Sequence, residues 1–131
     1  MIYLDTSALI KLVIEEAESE ALEHWLLLQE APFTTSEISR VELIRACRRI
    51  DPATMANANL LLNEIPYVPL DSWIVETAQH IGPPTLRSLD ALHLASAIQL
   101  GDALTGFVVY DKRLRDAAAL VDLPAMTPGA A

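Results

Sequence analysis

Short apolar runs alternate with segments of helical pattern along this chain, and this alternation constrains the fold most strongly. Residues 2–4 (IYL) and 106–110 (GFVVY) are runs of strand length without a charged side chain. Strands that are apolar on both sides are typical of a parallel sheet with helices on both faces. Each run ends at an aspartate that precedes a helical segment, so the pattern predicts an α/β fold with a parallel sheet.

The predicted elements cover most of the chain. We expect strands at residues 2–4, 33–35, 66–70, 106–110 and 122–126, and helices at residues 7–14, 17–29, 37–50, 53–64, 72–81, 88–100 and 112–120. Thr6 or Ser7 is expected to cap the first helix. No linker divides the sequence, so we predict one domain over residues 1–131 with a frayed tail at 127–131.

Composition and charge limit the function. Apolar residues make up 52% of the 131 residues, which excludes an extended disordered chain. The net charge of −9 argues against simple electrostatic binding of nucleic acid and fits a carboxylate site for a cation, a surface for a basic partner, or plain solubility. The single cysteine, Cys47, allows no internal disulfide. We find no signal peptide or membrane span, and we expect a soluble cytoplasmic protein.

Two aspartates follow the apolar strands directly. Asp5 and Asp111 are expected at the carboxyl end of the sheet, where open α/β folds place their ligand sites. Each could instead serve only as a helix cap. Asp90 lies in the first turn of the segment 88–100, which is apolar nearly all round. A carboxylate there is costly unless it is paired or bound to a metal, and Arg87 or His93 could be the partner.

Glu42 lies on the predicted 37–50 helix, between the apolar side and a basic stripe formed by Arg45, Arg48 and Arg49. In this position Glu42 could reach a central site while the arginines contact phosphates. The alternative is a simple pair between Glu42 and Arg45.

Asp5, Glu42, Asp90 and Asp111 would repel one another if they met at one point, unless a divalent cation lay between them. Mg²⁺ prefers oxygen ligands, lowers the pKa of bound water and stabilises charge on a phosphoryl oxygen. The set therefore indicates metal-dependent hydrolysis of a phosphodiester. Zinc is not expected, because Cys47, His24, His80 and His93 show no ligand spacing.

Four segments carry a family resemblance: MIYLDTSALIKL, TTSEISRVELIRA, LRSLDALHLASA and FVVYDKRL. In this order and spacing they resemble the motifs of PIN-domain ribonucleases, in particular VapC-type toxins of prokaryotic toxin–antitoxin pairs. The resemblance implies a PIN-like three-layer fold with about five parallel strands. It implies Mg²⁺- or Mn²⁺-dependent cleavage of RNA, with Asp5 and Asp90 as the main metal ligands and Glu42 and Asp111 in support.

The resemblance also implies partners: a VapB-type antitoxin that covers the site, a second copy in a homodimer, and a tRNA or ribosomal RNA substrate. One departure stands out. The family usually has Thr, Ser or Asn two residues before the last aspartate, whereas this chain has Val109. Asp116 could assist Asp111 there, and Thr6 and Ser7 retain the polar pair after Asp5.

Three other functions are open to comparison. A phosphatase of the haloacid dehalogenase type needs an acid two residues after the first aspartate, where this chain has Ser7. A receiver domain needs paired acids near its start, and Met1–Leu4 contains none. The remaining alternative is a PIN-like module that binds RNA or protein without cleaving.

Overall fold

A computed structural model describes residues 1–130 of the chain. Five strands form one parallel sheet, and helices cover both of its faces. The strands are β1 (Ile2–Leu4), β2 (Phe33–Ser36), β3 (Tyr67–Val68), β4 (Gly106–Val108) and β5 (Ala125–Met126). The helices are α1 (Thr6–Val13), α2 (Ser19–Leu27), α3 (Glu37–Ile50), α4 (Met55–Glu64), α5 (Ser72–His80), α6 (Ser88–Gln99) and α7 (Lys112–Leu120). The predicted fold class is confirmed.

The strand order is β3-β2-β1-β4-β5, which places β1 at the centre. Tyr3 is in register with Thr34 of β2 and with Phe107 of β4. Because all the strands are parallel, their carboxyl ends meet at one edge. The two edge strands have two residues each, which limits the unpaired backbone that they expose.

Alternate side chains of the central strands enter different cores. Ile2 and Leu4 pack on one face with residues of α1 to α4, such as Leu43. Tyr3 and Phe107 pack on the other face with residues of α6 and α7. This alternation explains why the central strands are apolar throughout: each buries both of its sides.

The 88–100 segment forms a buried helix, as predicted. Six side chains of α6 are inaccessible or nearly so: Ala91, His93, Leu94, Ala95, Ser96 and Ala97. Because α5 packs against its other side, α6 lies between the sheet and a further helix. No helix within residues 1–130 is long and apolar enough to cross a membrane.

Several local predictions are wrong. Asp5, rather than Thr6 or Ser7, caps α1, because its side chain accepts the Ala8 N–H. The second helix begins at Ser19 instead of residue 17, since the Ser19 hydroxyl accepts the Glu16 N–H in a turn before it. The predicted helix 53–64 divides into a 3₁₀ turn, Pro52–Thr54, followed by α4.

The tail that we expect to fray makes contacts with the rest of the chain. The residues from Thr127 to Ala130 form a turn, and the Tyr110 hydroxyl donates to the Pro128 carbonyl at 2.7 Å. Gly129 has a φ of +82°, and a Cβ at this position would lie 2.5 Å from that of Ala21. Glycine therefore lets the tail pack closely against α2. Ala131, also part of the predicted frayed tail, lies outside the described residues.

Candidate active site

All four sequence-predicted acids border the carboxyl edge of the sheet. Asp5 follows β1 and caps α1, and Asp111 comes three residues after the end of the neighbouring β4 and caps α7. Glu42 and Asp90 reach this edge from α3 and α6. The two strand-end aspartates thus combine a capping role with a place at the candidate site, and the two interpretations of the sequence do not exclude each other.

Asp5 is almost fully buried, with 3% of its surface exposed. Its Oδ1 accepts the Ala8 N–H at 2.9 Å and the Ser7 hydroxyl at 2.6 Å. Burial raises the pKa of Asp5 to about 6, although His93 and these hydrogen bonds oppose the rise. Ser7 also accepts the Tyr110 N–H at 3.0 Å, so one hydroxyl links the ends of β1 and β4.

Glu42 is fixed by two side chains from other elements. Its Oε1 accepts the Thr6 hydroxyl at 2.7 Å and lies 2.6 Å from Nε2 of His93. Burial alone would raise the pKa of Glu42, but the contacts with His93 and Thr6 lower it below its ordinary value. Glu42 is therefore a carboxylate at neutral pH, and the alternative Glu42–Arg45 pair does not form among the described residues.

The charge on Glu42 determines the proton positions of its neighbours. A carboxylate only accepts hydrogen bonds, so Nε2 of His93 donates to it. On the other side of the ring, Nδ1 of His93 lies 2.6 Å from the Tyr3 hydroxyl. Burial raises the pKa of Tyr3 well above its usual value, which keeps this hydroxyl protonated. The result is a chain of hydrogen bonds from the buried Tyr3 through His93 to Glu42.

Asp90 and Asp111 share one cation. Nε of Arg87 lies 3.0 Å from Oδ2 of Asp90, and an amino group of the same guanidinium lies 3.4 Å from Oδ2 of Asp111. Of the two partners expected for Asp90, Arg87 is the one observed. The Arg87 side chain is 58% exposed, whereas that of Asp90 is 13% exposed. The bridge thus joins α6 to the start of α7 at the surface.

The two pairs form one electrostatic neighbourhood. Arg87 lowers the pKa of Glu42 through space, and Glu42 raises that of Asp5. Within residues 1–130, however, no three His, Cys, Asp or Glu side chains lie close enough together to hold a metal ion. The acids border one region without forming a closed ligand cage.

The donors that remain fit a hard divalent cation. Three carboxylates each keep one oxygen that accepts no hydrogen bond from residues 1–130: Oδ2 of Asp5, Oε2 of Glu42 and Oδ1 of Asp90. Mg²⁺ retains several waters and is commonly bound through one or two carboxylates together with a substrate phosphate. An open, all-oxygen site of this kind suits Mg²⁺ or Mn²⁺ without a three-residue cage.

The other predicted residues lie around these acids. Asp116 is exposed, pairs with Lys112 at 2.8 Å and lines a cavity that Asp90 also lines. Arg45 and Arg49 border a mainly apolar groove beside Glu42, and together with Arg48 they line a shallow depression. Val109 is fully buried in the core with Tyr3, so the position that departs from the motif is filled by packing.

His93 and Tyr3 are the residues whose importance the sequence did not reveal. The sequence suggests His93 only as a possible partner of Asp90 and as one of the histidines without zinc-ligand spacing, yet in the structure it contacts Glu42. The available signal was a histidine in the middle of an otherwise apolar helix, together with a tyrosine in a buried strand. Both polar groups required partners within the core.

Known proteins are similar to this chain over nearly its whole length. Residues 2–120 match the PIN domain family. Ribonuclease VapC47 of Mycobacterium tuberculosis is 44% identical, with 99% of this chain and 98% of the relative covered. Ribonuclease VapC35 of the same organism is 42% identical, with 100% and 99% covered.

Solved structures show the same fold. The sarcin-ricin loop cleaving toxin VapC20 of M. tuberculosis aligns with a TM-score of 0.79 at 15% identity, covering 98% of this chain and 100% of that one. A toxin–antitoxin complex from Klebsiella pneumoniae aligns with a TM-score of 0.72 at 18% identity, covering 98% of each chain.

Proposed function

The chain belongs to the PIN-domain family of VapC ribonucleases, and from this premise we propose that it is a divalent-metal-dependent endoribonuclease, the toxin of a VapBC-type pair. The observation that carries the proposal is the set of unpartnered oxygens on Asp5, Glu42 and Asp90 beside one sheet edge. Parallel strands alone place Asp5 at this edge, but Glu42 and Asp90 cap no helix, so capping does not explain why their carboxylates lie there too.

The proposed metal ligands are Asp5 and Asp90, with Glu42 and Asp111 in support. Mg²⁺ or Mn²⁺ bound there would supply a water of lowered pKa and would stabilise negative charge on the phosphate during hydrolysis. Burial and short hydrogen bonds hold Asp5 in one orientation, so the chain preorganises this ligand before RNA binds.

Glu42 is proposed to act as a fixed anion. Because Thr6 and His93 both donate to Oε1, the remaining oxygen, Oε2, is held facing away from them and available to a water or a cation. Arg87 and the stripe of Arg45, Arg48 and Arg49 supply positive charge near the acids. These cations would hold the phosphates of an RNA whose overall attraction to a chain of net charge −9 is poor.

We propose three partners. The first is a VapB-type antitoxin, which would cover an acidic site through a basic side chain; a toxin–antitoxin complex among the structural neighbours supports this. The second is another copy of this chain, for which exposed apolar residues such as Leu27, Leu60 and Leu120 offer contact area. The third is a tRNA or ribosomal RNA in the cytoplasm.

The proposed activity can be tested with purified protein on total tRNA and on ribosomal RNA. We expect cleavage with Mg²⁺ or Mn²⁺, none in EDTA, and a loss of about 1000-fold in Asp5→Asn or Asp90→Asn, equivalent to removing about 4 kcal/mol of transition-state stabilisation. Asp102→Asn is a matched control, because this exposed acid lies in a turn before β4, at the opposite edge. RNA binding without cleavage under any of these conditions would instead identify a non-cleaving PIN-like module.

A further inference from the structure

A cavity of about 420 Å³ adjoins the acidic site between the loop before α6 and the outer side of α7. We call it the α6–α7 cavity. Asp90 and Arg87 form the wall shared with the acids, and Arg113 and Asp116 of α7 form part of the other. Its volume is within the range of sites that hold one small molecule. No role assigned above to the acids requires such a space.

The cavity has a cationic side with one free guanidinium. Arg113 is exposed, and it makes no ion pair or side-chain hydrogen bond with any residue of the 1–130 range that the structure describes. The nearby Arg87 is already engaged with Asp90 and Asp111. Arginine binds phosphate through paired donors, so Arg113 is the group in this cavity that can accept a new anion without losing a present partner.

The rest of the lining offers a different chemistry. Leu86, Ala117 and Leu120 provide apolar surface, and the Leu120 side chain is 73% exposed. Asp116 provides carboxylate oxygens at the rim. A nucleotide requires the same combination: a cation for its phosphate, an apolar surface for its base, and an acceptor for its hydroxyl or amino donors.

We propose that the α6–α7 cavity binds one nucleotide of the RNA, adjacent to the phosphodiester that is cleaved. Arg113 contacts its phosphate, and Leu86 and Leu120 contact its base. The position follows from Asp90, which is both a proposed metal ligand and part of the cavity wall. This proposal rests on the proposed ribonuclease function and assigns the cavity a part in selecting the cleavage position.

The test compares Arg113→Ala with Arg115→Ala. Arg115 lies on the same helix and carries the same charge, but it does not line the cavity. Binding is measured by fluorescence anisotropy with a 5′-labelled 12-nucleotide RNA of randomised sequence, in the Asp5→Asn background to prevent cleavage. We expect Arg113→Ala to weaken binding about tenfold and Arg115→Ala less than about twofold, since only the first removes a charge-assisted contact.

A second measurement uses catalysis and base preference. With otherwise native protein, Arg113→Ala should raise KM about tenfold and leave kcat within about twofold, because the lost contact serves binding. Leu120→Ala should broaden the base preference beside the cleavage site when RNA 5′ ends are sequenced. Unchanged melting temperatures of both variants would show that they fold.

The two proposals fail in different ways. Native protein that cleaves RNA while Arg113→Ala and Arg115→Ala affect KM and binding equally overturns the cavity proposal and leaves the ribonuclease proposal intact. Native protein that binds but does not cleave, with the loss of affinity confined to Arg113→Ala, supports the cavity as an RNA site and contradicts the ribonuclease activity. If neither binding nor cleavage occurs, both are overturned.

Discussion

Asp5 and Glu42 are held by hydrogen bonds from the start of α1 and from the buried His93, whereas Asp90 and Asp111 are bridged by the exposed guanidinium of Arg87. We call these pairs the buried half and the bridged half of the site. The donors of the buried half belong to the core and to helix caps, so they are fixed when the chain folds. Arg87 in the bridged half is more than half exposed and can rotate away.

The two halves differ in the positive charge that already lies next to their carboxylates. In the buried half, desolvation works against the charge of Asp5, and no positively charged side chain bonds directly to its carboxylate. In the bridged half, the guanidinium of Arg87 is already present, and the proposed metal would have to compete with it. The buried half would therefore gain more from the proposed metal than the bridged half would.

The largest expected effect concerns the stability of the buried half. Asp5 has an ordinary pKa of 3.8 when unfolded and about 6 when folded, so the folded protein binds the proton more tightly. Stability is therefore lost as pH rises from about 4 to about 6, and at pH 7 the loss is on the order of 3 kcal/mol. Asp5→Asn retains a capping side chain and removes this charge, so it should be more stable than the native protein at pH 7.

Urea unfolding in EDTA at pH 4.5 and pH 7 would measure this effect. The difference between Asp5→Asn and native protein should grow with pH, while Asp102→Asn should show no such trend. A less stable Asp5→Asn at pH 7 would mean that its contacts with Ser7 and Ala8 outweigh desolvation.

The next largest effect is expected when the hydrogen bond from His93 to Glu42 is removed. His93→Leu fills similar space but removes the donor to Glu42 and the acceptor for Tyr3. Loss of a group that orients a ligand typically costs 10- to 100-fold in metal affinity, so we expect Mn²⁺ binding to weaken by about that factor. Electron paramagnetic resonance titration measures it without RNA.

His93→Gln is the matched variant, because its amide nitrogen can replace Nε2 as the donor; it should recover part of the affinity. His80→Leu, at an exposed histidine, should change nothing. If His93→Leu binds Mn²⁺ as the native protein does, the orientation of Glu42 does not contribute to metal binding.

The contrast between the halves also explains what the sequence could predict. The parallel sheet type follows from strands such as residues 2–4. Because such a strand is apolar on both of its sides, helices must cover both faces of the sheet. The edge position of Asp5 and Asp111 follows from parallel strands alone. The placement of Glu42 depends on the motif resemblance, since a helical wheel puts it at a boundary and does not show which partner it meets.

What could not be predicted are the contacts between distant elements. Arg87 lies 24 residues from Asp111, and His93 lies 51 residues from Glu42. Only the packing of α6 between the sheet and its neighbours brings these pairs together, and no local pattern encodes it. The cap of α1 is a smaller case: Asp5, Thr6 and Ser7 are all competent capping residues, and the backbone selects the first.

A weaker effect is expected when the bridge is removed. Arg87→Gln eliminates the cation that a metal must displace from Asp90 and Asp111, so Mn²⁺ affinity should rise about threefold at low salt. The gain should shrink in 0.5 M KCl, because both Arg87 and Asp111 are exposed and salt screens their attraction. Arg115→Gln is the control of equal charge. If Arg87→Gln binds Mn²⁺ with the same affinity as the native protein, the bridge does not compete with the metal.

The smallest effect concerns the rim of the buried half, where Arg45 borders the groove beside Glu42. Arg45→Glu should weaken RNA binding a few-fold, lower the slope of log affinity against log salt by about one, and leave Mn²⁺ affinity unchanged. Arg40→Glu is the matched control: it lies on the same helix, but its guanidinium stacks 4.9 Å from the ring of Tyr67, away from the stripe. If both variants weaken RNA binding equally, the effect is one of net charge only. If Arg45→Glu loses RNA and Mn²⁺ affinity equally, Arg45 supports Glu42 instead of contacting phosphate. A loss of RNA affinity that occurs in Arg45→Glu alone, with Mn²⁺ affinity unchanged, would show that the basic stripe contacts RNA beside the carboxylates.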